Sequence, residues 1–189
     1  KNETEFKDGF TFNKTTNNRI SAIIPVHVWG NACWLDDLIP LCEDRNISIV
    51  EDASESMGTV YILGKYDGHH TGTIAHMGCF SFNGNKIITS GGGGMILTNI
   101  DALADKAKYL TTQAKDDSVR YIHDEIGYNF RLTNIHAALG VAQLEQLPEF
   151  LERKKGIYRQ YVEAVEKIEG LAMAAVPNYA DNNCWMNVL

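Results

Sequence analysis

Short apolar runs alternate with amphipathic stretches along the first half of the chain. SAIIPVHV (21–28) and ISIVED (47–52) have the β-branched content of buried strands, and between them WLDDLIPLCEDRN (34–46) has apolar residues at helical spacing. Pro25 implies a missing ladder hydrogen bond in the first strand, and Pro40 is expected to kink or shorten the helix. A strand, a crossover helix and a second strand predict a βαβ unit, and therefore a parallel sheet with helices on its faces.

The pattern further along the chain predicts two more strands and three more helices. The strands are MGCFSF (77–82) and GMILTN (94–99), and the helices lie at 101–115, at 133–146 and from Pro148 to about residue 169. Asp101 is a plausible N-cap of the first of these helices, and Ile135 is expected to face inward from the second.

Three stretches lack a clean period and are predicted to be irregular. Residues 1–20 read as a loop, 59–72 as a hairpin-like excursion, and 116–132 as a long loop of the kind that is usually functional. After Gly170, LAMAAV and NCWMNVL predict short strands at the opening of a second, smaller domain.

Composition narrows the class of protein. Of the 189 residues, 44% are hydrophobic, which is enough for a sizeable core, and the formal net charge of -7 disfavours nucleic acid and anionic membranes as partners. The polar start KNETEFK predicts no signal peptide, and four dispersed cysteines predict reduced thiols in a cytoplasmic protein. Because the chain lacks an initiator Met and stops within CWMNVL, we expect it to be a piece of a longer protein.

The stretch CFSFNGNKIITSGGGG (79–94) places one lysine, Lys86, beyond a short strand and before four glycines. A P-loop has its lysine after the glycines, so this order argues against one. The glycine run would allow close approach of a phosphate, a packed partner strand, or a cofactor bound covalently to the lysine. The alternative is a surface lysine beside a flexible turn.

Asp52 lies at the end of a predicted strand, where ligands of parallel sheets bind, and Lys86 follows another strand 34 residues later. An acid and a lysine over one ligand are what pyridoxal phosphate requires, since the lysine reacts with the aldehyde and the acid pairs with the pyridinium nitrogen. Ser81 is a candidate phosphate ligand. Without further signals, Asp52 also reads as a helix cap or turn residue. His69, His70, His76 and Cys79 lack the spacing of a structural zinc site, so we expect no metal.

Four segments, PVHVWGN, IVEDASESMGT, GCFSFNGNKIITSGGGGMI and IGYNFRLTNIHAALGVAQL, resemble in this order the DegT/DnrJ/EryC1/StrS family of sugar aminotransferases. The resemblance runs from about residue 21 to 170. EDASESMGTVY and SFNGNKIIT are most similar to enzymes that aminate C4 of a UDP-linked 4-keto-6-deoxy-N-acetyl sugar, as in bacillosamine- or legionaminic-type sugar biosynthesis.

The resemblance implies roles for particular residues. Lys86 would bind pyridoxal 5′-phosphate covalently and then transfer a proton, Asp52 would keep the pyridine nitrogen protonated, and Ser81 would bind the phosphate. Glu55 stands near the cofactor's 3-hydroxyl, where the family often has Gln or His. Asn129 would reach the phosphate of the neighbouring subunit's cofactor, which makes a homodimer part of the site.

Three further positions are less closely defined. His123 is a candidate contact to the sugar or its diphosphate across the dimer, and Arg131 is a candidate for pairing with a phosphate or capping the next helix. Gly92 departs from the family, which commonly has an acid between these glycines.

These observations predict the large domain of a fold-type-I pyridoxal phosphate enzyme, α/β with a mostly parallel central sheet flanked by helices. Residues 1–147 would belong to this domain, without its N-terminal portion, and 148–189 would form a connecting helix and the start of the small C-terminal domain. The expected reaction is transamination from an amino acid, L-glutamate by resemblance, to a keto group of a sugar nucleotide for surface glycans. The alternatives are a cofactor-less regulator or scaffold and a pyridoxal phosphate-dependent sugar dehydratase, although the relatives of the latter type replace the lysine with His.

Overall fold

The computed structural model describes residues 3–117 and 119–189, and in them eight strands and four α-helices. In chain order these are β1 (Thr4–Lys7), β2 (Phe10–Asn13), β3 (Ala22–Ile23), α1 (Leu35–Glu43), β4 (Ser48–Asp52), β5 (Val60–Tyr61), β6 (Met77–Ser81), β7 (Gly94–Leu97), α2 (Asp101–Thr111), α3 (Asn134–Leu144), α4 (Leu147–Val165) and β8 (Ala180–Asp181). A single 3₁₀ turn, Val28–Gly30, precedes α1.

The central sheet has four strands in the order β3-β4-β6-β7. β3, β4 and β6 are parallel, and β7 pairs with β6 in the antiparallel direction. The mostly parallel sheet is therefore confirmed, with an antiparallel strand at one edge. The register of β4 and β6 sets Asp52 opposite Cys79, so both strands end at the same edge of the sheet.

The core lies between α1 and the sheet. The apolar spacing of α1 points Leu35, Ile39 and Cys42 at the buried Ile49 of β4, and this cluster extends to Tyr61 and Ala180. Pro40 is accommodated inside α1 on its exposed side. β8 pairs with β5, so the end of the chain joins this core. The division of the chain into two domains at residue 148 stays a prediction.

The structure differs from the expected elements at three places. Residues 1–20 are not a loop throughout, because β1 and β2 form an antiparallel hairpin. Asp101 is the first residue of α2 and not its N-cap, whereas Thr133 does cap α3 by accepting the His136 backbone N–H. NCWMNVL forms no strand, since the side chains of Asn182 and Asn183 accept backbone N–H groups that a strand would need.

α3 has no buried face within the described residues, and its Ile135 is 82% exposed, so the expected inward orientation of Ile135 is wrong. Among the described helices, none combines the length and apolar content needed to cross a bilayer.

Candidate active site

The carboxyl ends of β4 and β6 bring the predicted cofactor residues to one edge of the sheet. Asp52 is the last residue of β4, Ser81 is the last residue of β6, and Lys86 follows five residues after Ser81. The Asp52 carboxylate accepts the Ser54 N–H at 3.0 Å, and the Ser81 hydroxyl accepts the Asn83 N–H at 3.3 Å. Both side chains are half-buried, so each keeps capacity to bind a ligand.

A tight turn carries Lys86 away from β6. The backbone N–H of Lys86 donates to the Asn83 carbonyl at 3.1 Å, and the Thr89 hydroxyl donates to the Phe82 carbonyl at 3.0 Å. Ile88 is 2% exposed and anchors the turn in the core. Lys86 is thereby held with its side chain only 13% exposed.

The glycine run after Lys86 has different surroundings at its end and in its middle. A Cβ at Gly94 would lie 2.4 Å from the Phe80 carbonyl oxygen, so the last glycine permits the close pairing of β7 with β6. A Cβ at Gly92 would have nothing within 4 Å. The partner-strand explanation therefore holds for the end of the run, while its middle borders open space.

Among the described residues, the Lys86 amine contacts the side chains of Glu55 and Trp185. Its Nζ lies 3.7 Å from Oε1 of Glu55 and 4.5 Å from the centre of the Trp185 ring. The Glu55 side chain is 27% exposed, so this ion pair is partly shielded from water. The structure thus joins two of the predicted residues, Lys86 and Glu55, and adds an aromatic residue from the far end of the chain.

Glu55 is held in place by a strained turn. Its Oε2 accepts the backbone N–H of Trp29 at 2.7 Å, and Trp29 has φ 56° and ψ 25°, a left-handed conformation that is uncommon for a bulky residue. Such strain persists only where the surroundings enforce it. The next residue, Gly30, is fixed by the Thr59 hydroxyl, which donates to the Gly30 carbonyl at 2.9 Å.

His27, the residue directly before this turn, forms a buried pair with Glu51. Nε2 of His27 lies 3.0 Å from Oε2 of Glu51, both side chains are fully buried, and His27 Nδ1 accepts the Cys33 N–H at 3.0 Å. Because Nδ1 is an acceptor, the ring proton lies on Nε2 and is donated to Glu51. His27 is therefore a hydrogen-bonded core residue, and its partner Glu51 is an acid for which the sequence pattern predicted no role.

Glu51 also accepts three backbone N–H groups, from Gly72, Ile74 and Ala75, at 2.7 to 2.8 Å. Burial alone would raise the pKa of Glu51, but the hydrogen bonds from His27 and the backbone outweigh it and hold this pKa below its usual range. Glu51 is thus a buried carboxylate whose oxygens are saturated by donors.

Asn129, His123 and Arg131 lie on the long loop and are not brought to Lys86 by any contact among the described residues. Asn129 forms a β-bridge with Thr112, and His123 Nδ1 donates to the Gln113 carbonyl at 2.8 Å. Arg131 lines a cavity of about 950 Å³ between β6–β7 and helices α2 and α3, which the glycines 91–94 also border. Within one copy of the chain, the roles implied for these three residues stay predictions.

A mostly parallel sheet, flanking helices, and a lysine and an aspartate at neighbouring strand ends together define the large-domain fold of fold-type-I pyridoxal phosphate enzymes. The model of the DegT/DnrJ/EryC1/StrS aminotransferase family matches residues 11–189, and the chain belongs to this family. The family that the four motifs resemble, and the fold class it implies, are confirmed, and so is the dependence of this family on pyridoxal phosphate.

Individual relatives agree with this assignment. The chain is 42% identical to EpsN of Bacillus subtilis (strain 168), whose name assigns it to the pyridoxal phosphate-dependent aminotransferases, over 89% of this chain and 42% of EpsN. It is 40% identical to the GDP-perosamine synthase of Escherichia coli O157:H7 over 80% of this chain and 40% of that enzyme. The crystal structure of DesI with its TDP-sugar product matches with a TM-score of 0.79 and 25% identity, over 89% of this chain and 41% of DesI. The chain thus spans about two fifths of the length of these relatives.

Proposed function

We propose that the protein to which this chain belongs is a pyridoxal phosphate-dependent aminotransferase acting on a nucleotide-linked sugar. The observation that carries the proposal is the position of Lys86, which has a shielded amine at the same sheet edge as Asp52 and Ser81. A scaffold that had lost the chemistry would have no need for a lysine, an acid and a hydroxyl at adjoining strand ends.

The donor set at this edge fits the cofactor. When bound, pyridoxal phosphate supplies an aldehyde and an electron-accepting ring. Lys86 Nζ is the group that would hold it covalently and, once freed, move a proton to and from the reacting carbon. The Asp52 carboxylate would keep the pyridine nitrogen protonated, and the Ser81 hydroxyl would donate to the phosphate. Glu55 would lie beside the amine, since it already contacts Lys86.

The relatives support a sugar nucleotide as the amino acceptor, because one is named for a GDP sugar and another was crystallised with a TDP sugar. We infer a finer assignment, amination at C4 of a UDP-linked 4-keto-6-deoxy sugar, from the motifs EDASESMGTVY and SFNGNKIIT. The resemblance to the family implies L-glutamate as the amino donor. Turnover with UDP-, GDP- and TDP-linked 4-keto sugars in parallel tests the UDP assignment. A preference for the GDP or TDP sugar would contradict the UDP assignment without touching the aminotransferase assignment.

The decisive experiment for the proposed function is reduction of the full-length protein with borohydride after incubation with pyridoxal phosphate. We expect an absorbance band near the visible edge that disappears on reduction, and a stable cofactor adduct on the peptide that contains Lys86. An adduct on another lysine, or none, would overturn the catalytic assignment and favour the scaffold. A sugar product that has lost a hydroxyl without gaining nitrogen would instead identify a dehydratase.

We also propose that the active protein is a homodimer with a shared site. The loop that carries Asn129 exposes an apolar surface, in which the rings of Tyr128 and Phe130 stack with centroids 5.1 Å apart and Ile126 is 83% exposed. Ile135, at the start of α3, is 82% exposed. Large exposed apolar side chains of this kind are typical of protein–protein interfaces. A second copy seated there would bring Asn129 to its partner's cofactor.

Ile135→Asp is therefore expected to weaken dimerisation at least about 10-fold, because it places a charge in a desolvated interface. An acid in the first turn of α3 is favourable for an isolated helix, so the monomer should stay folded. Sedimentation velocity over a concentration series measures the dissociation constant. Leu41→Asp, at a 49% exposed position on α1, is the matched control. Equal dissociation constants for wild type and Ile135→Asp would contradict this interface.

The four cysteines are free in the structure, and the cytoplasmic location inferred from them stays a prediction.

A further inference from the structure

Trp185, near the end of the chain, covers the amine of Lys86. The Lys86 Nζ lies 4.5 Å from the centre of the indole ring, within the range of a cation–π contact. The indole is itself fixed, because its Nε1 donates to the carbonyl of Asn85 at 2.7 Å. The ring is thus bonded to the residue before the lysine and faces the lysine side chain.

The backbone of Trp185 is held by a buried amide, Asn183, which is 0% exposed. Its Oδ1 accepts the Trp185 backbone N–H at 3.0 Å, and its Nδ2 donates to the carbonyls of Glu55 at 2.9 Å and Met57 at 3.0 Å. One side chain therefore ties the backbone of the aromatic residue to the backbone of the acid that contacts Lys86. Its packing is close, since a Cβ at Gly30 would lie 2.1 Å from the Asn183 oxygen.

The amine of Lys86 is consequently enclosed by two groups of different chemistry. The Glu55 carboxylate, 3.7 Å from Nζ, attracts the ammonium group as an ion pair, and the indole face of Trp185 attracts the same cation. Holding a long lysine side chain in one geometry costs considerable rotamer entropy, and the contacts with Glu55 and Trp185 offset part of this cost.

We propose that Trp185 is a positioning residue that holds the Lys86 amine against Glu55 before the cofactor arrives. The proposal deepens the proposed function, because it assumes that Lys86 is the reactive lysine. The proposal also gives the C-terminal segment a role at the site, because this segment contains Trp185, whose ring covers the amine of Lys86 on the turn after β6.

The test uses NMR of the cofactor-free full chain with ¹³C-labelled lysines, in which Lys86 is assigned by its absence from the spectrum of Lys86→Arg. The ε-methylene protons of Lys86 should be shifted upfield of the other lysines by the ring current of Trp185. Trp185→Phe keeps an aromatic face and should retain part of this shift, whereas Trp185→Leu should abolish it. An unshifted Lys86 resonance in the wild type would overturn the proposal.

Lysine acylation followed by peptide mass mapping gives a second readout. Trp185→Leu should raise the labelling rate of Lys86 severalfold, and Trp185→Phe should leave it close to that of the wild type. Lys155, on α4, is the internal control. Its Nζ lies 2.6 Å from the carboxylate of Asp181, which belongs to the same C-terminal segment as Trp185. If that segment detached, Lys155 would lose this contact and become more reactive. If Lys86 and Lys155 both react faster in Trp185→Leu, the Lys86 labelling rate in Trp185→Phe decides the outcome. A rate equal to that of the wild type supports the aromatic cover. A rate as high as in Trp185→Leu overturns it. Equal Lys86 rates in the wild type and Trp185→Leu also overturn it.

Both readouts are taken without cofactor, so they stand apart from the borohydride experiment. A ring-current shift together with an adduct on a different lysine would keep the contact and reject the proposed function. An adduct on Lys86 without the shift would keep the function and reject the role of Trp185.

Discussion

Lys86→Ala is expected to lower aminotransferase turnover of the full-length protein by at least about 10³-fold, because under the proposed function one amine would serve as both nucleophile and proton carrier. The structure gives the geometric reason. The Lys86 amine lies beside Glu55 and Trp185 at the sheet edge that carries Asp52, and no neighbouring lysine contacts these groups among the described residues. Steady-state kinetics with a 4-keto sugar nucleotide and L-glutamate measure the loss.

Two controls separate loss of the amine from loss of the fold. Lys65→Ala removes a lysine whose Nζ lies 5.3 Å from the centre of the Tyr66 ring, and it should leave turnover within about twofold of the wild type. Small primary amines added to Lys86→Ala should restore part of the activity, since they supply the missing proton carrier. Turnover of Lys86→Ala at a tenth of the wild-type value or more would contradict the role of this lysine.

The central sheet could be predicted because its strands coincide with the strongest apolar runs. β4, β6 and β7 lie inside the predicted segments 47–52, 77–82 and 94–99. The β1–β2 hairpin was missed although the sequence carries a signal for it: Asp8 and Gly9, both at positive φ, form a two-residue Asp-Gly turn between the paired residues Lys7 and Phe10. The C-terminal strand was wrong for a different reason, because Asn183 bonds to backbone groups more than 120 residues away in the sequence.

The residues of the candidate site also fall into two groups, those that the sequence predicts and those that it does not. The positions of Asp52, Ser81 and Lys86 could be predicted because Asp52 and Ser81 end strands, Lys86 follows one, and the ends of parallel strands lie together. Trp185 could not, since its hydrogen bond to Asn85 spans 100 residues and no local pattern marks it. The sequence does contain a signal for Glu51. Consecutive side chains of a strand point to opposite faces of the sheet, so the two acids Glu51 and Asp52 of β4 cannot both face the same ligand.

Glu51→Gln is expected to lower the free energy of unfolding by about 3 kcal/mol, although glutamine has the same shape as glutamate. One carboxylate oxygen accepts the N–H groups of Ile74 and Ala75, and the other accepts those of Gly72 and His27. Glutamine replaces one of these oxygens with an NH₂ group, which then faces two donors. His27 cannot relieve this by moving its proton to Nδ1, because Nδ1 already accepts the Cys33 N–H.

Urea denaturation of the full-length protein measures the difference, and the exposed acid Glu43 on α1 provides the control. Glu43→Gln should change the free energy of unfolding by no more than about 0.5 kcal/mol. A loss that is equally small for Glu51→Gln would show that the four donors find other acceptors. In that case the His27–Glu51 pair would not be needed to stabilise the turn Val28–Gly30, which contacts Glu55 through the Trp29 N–H.

The pH dependence identifies the charge as the cause. Because the pKa of Glu51 is lower in the folded protein than the value of about 4.3 expected in the unfolded chain, its stabilising contribution is fully present above that value. This contribution is lost as the pH falls through the folded-state pKa. The part of the stability gap between wild type and Glu51→Gln that comes from ionised Glu51 should therefore be fully present at about pH 5 and shrink below about pH 4. A gap that keeps its full size down to pH 3 would mean that shape, and not the buried carboxylate, sets the cost of the substitution.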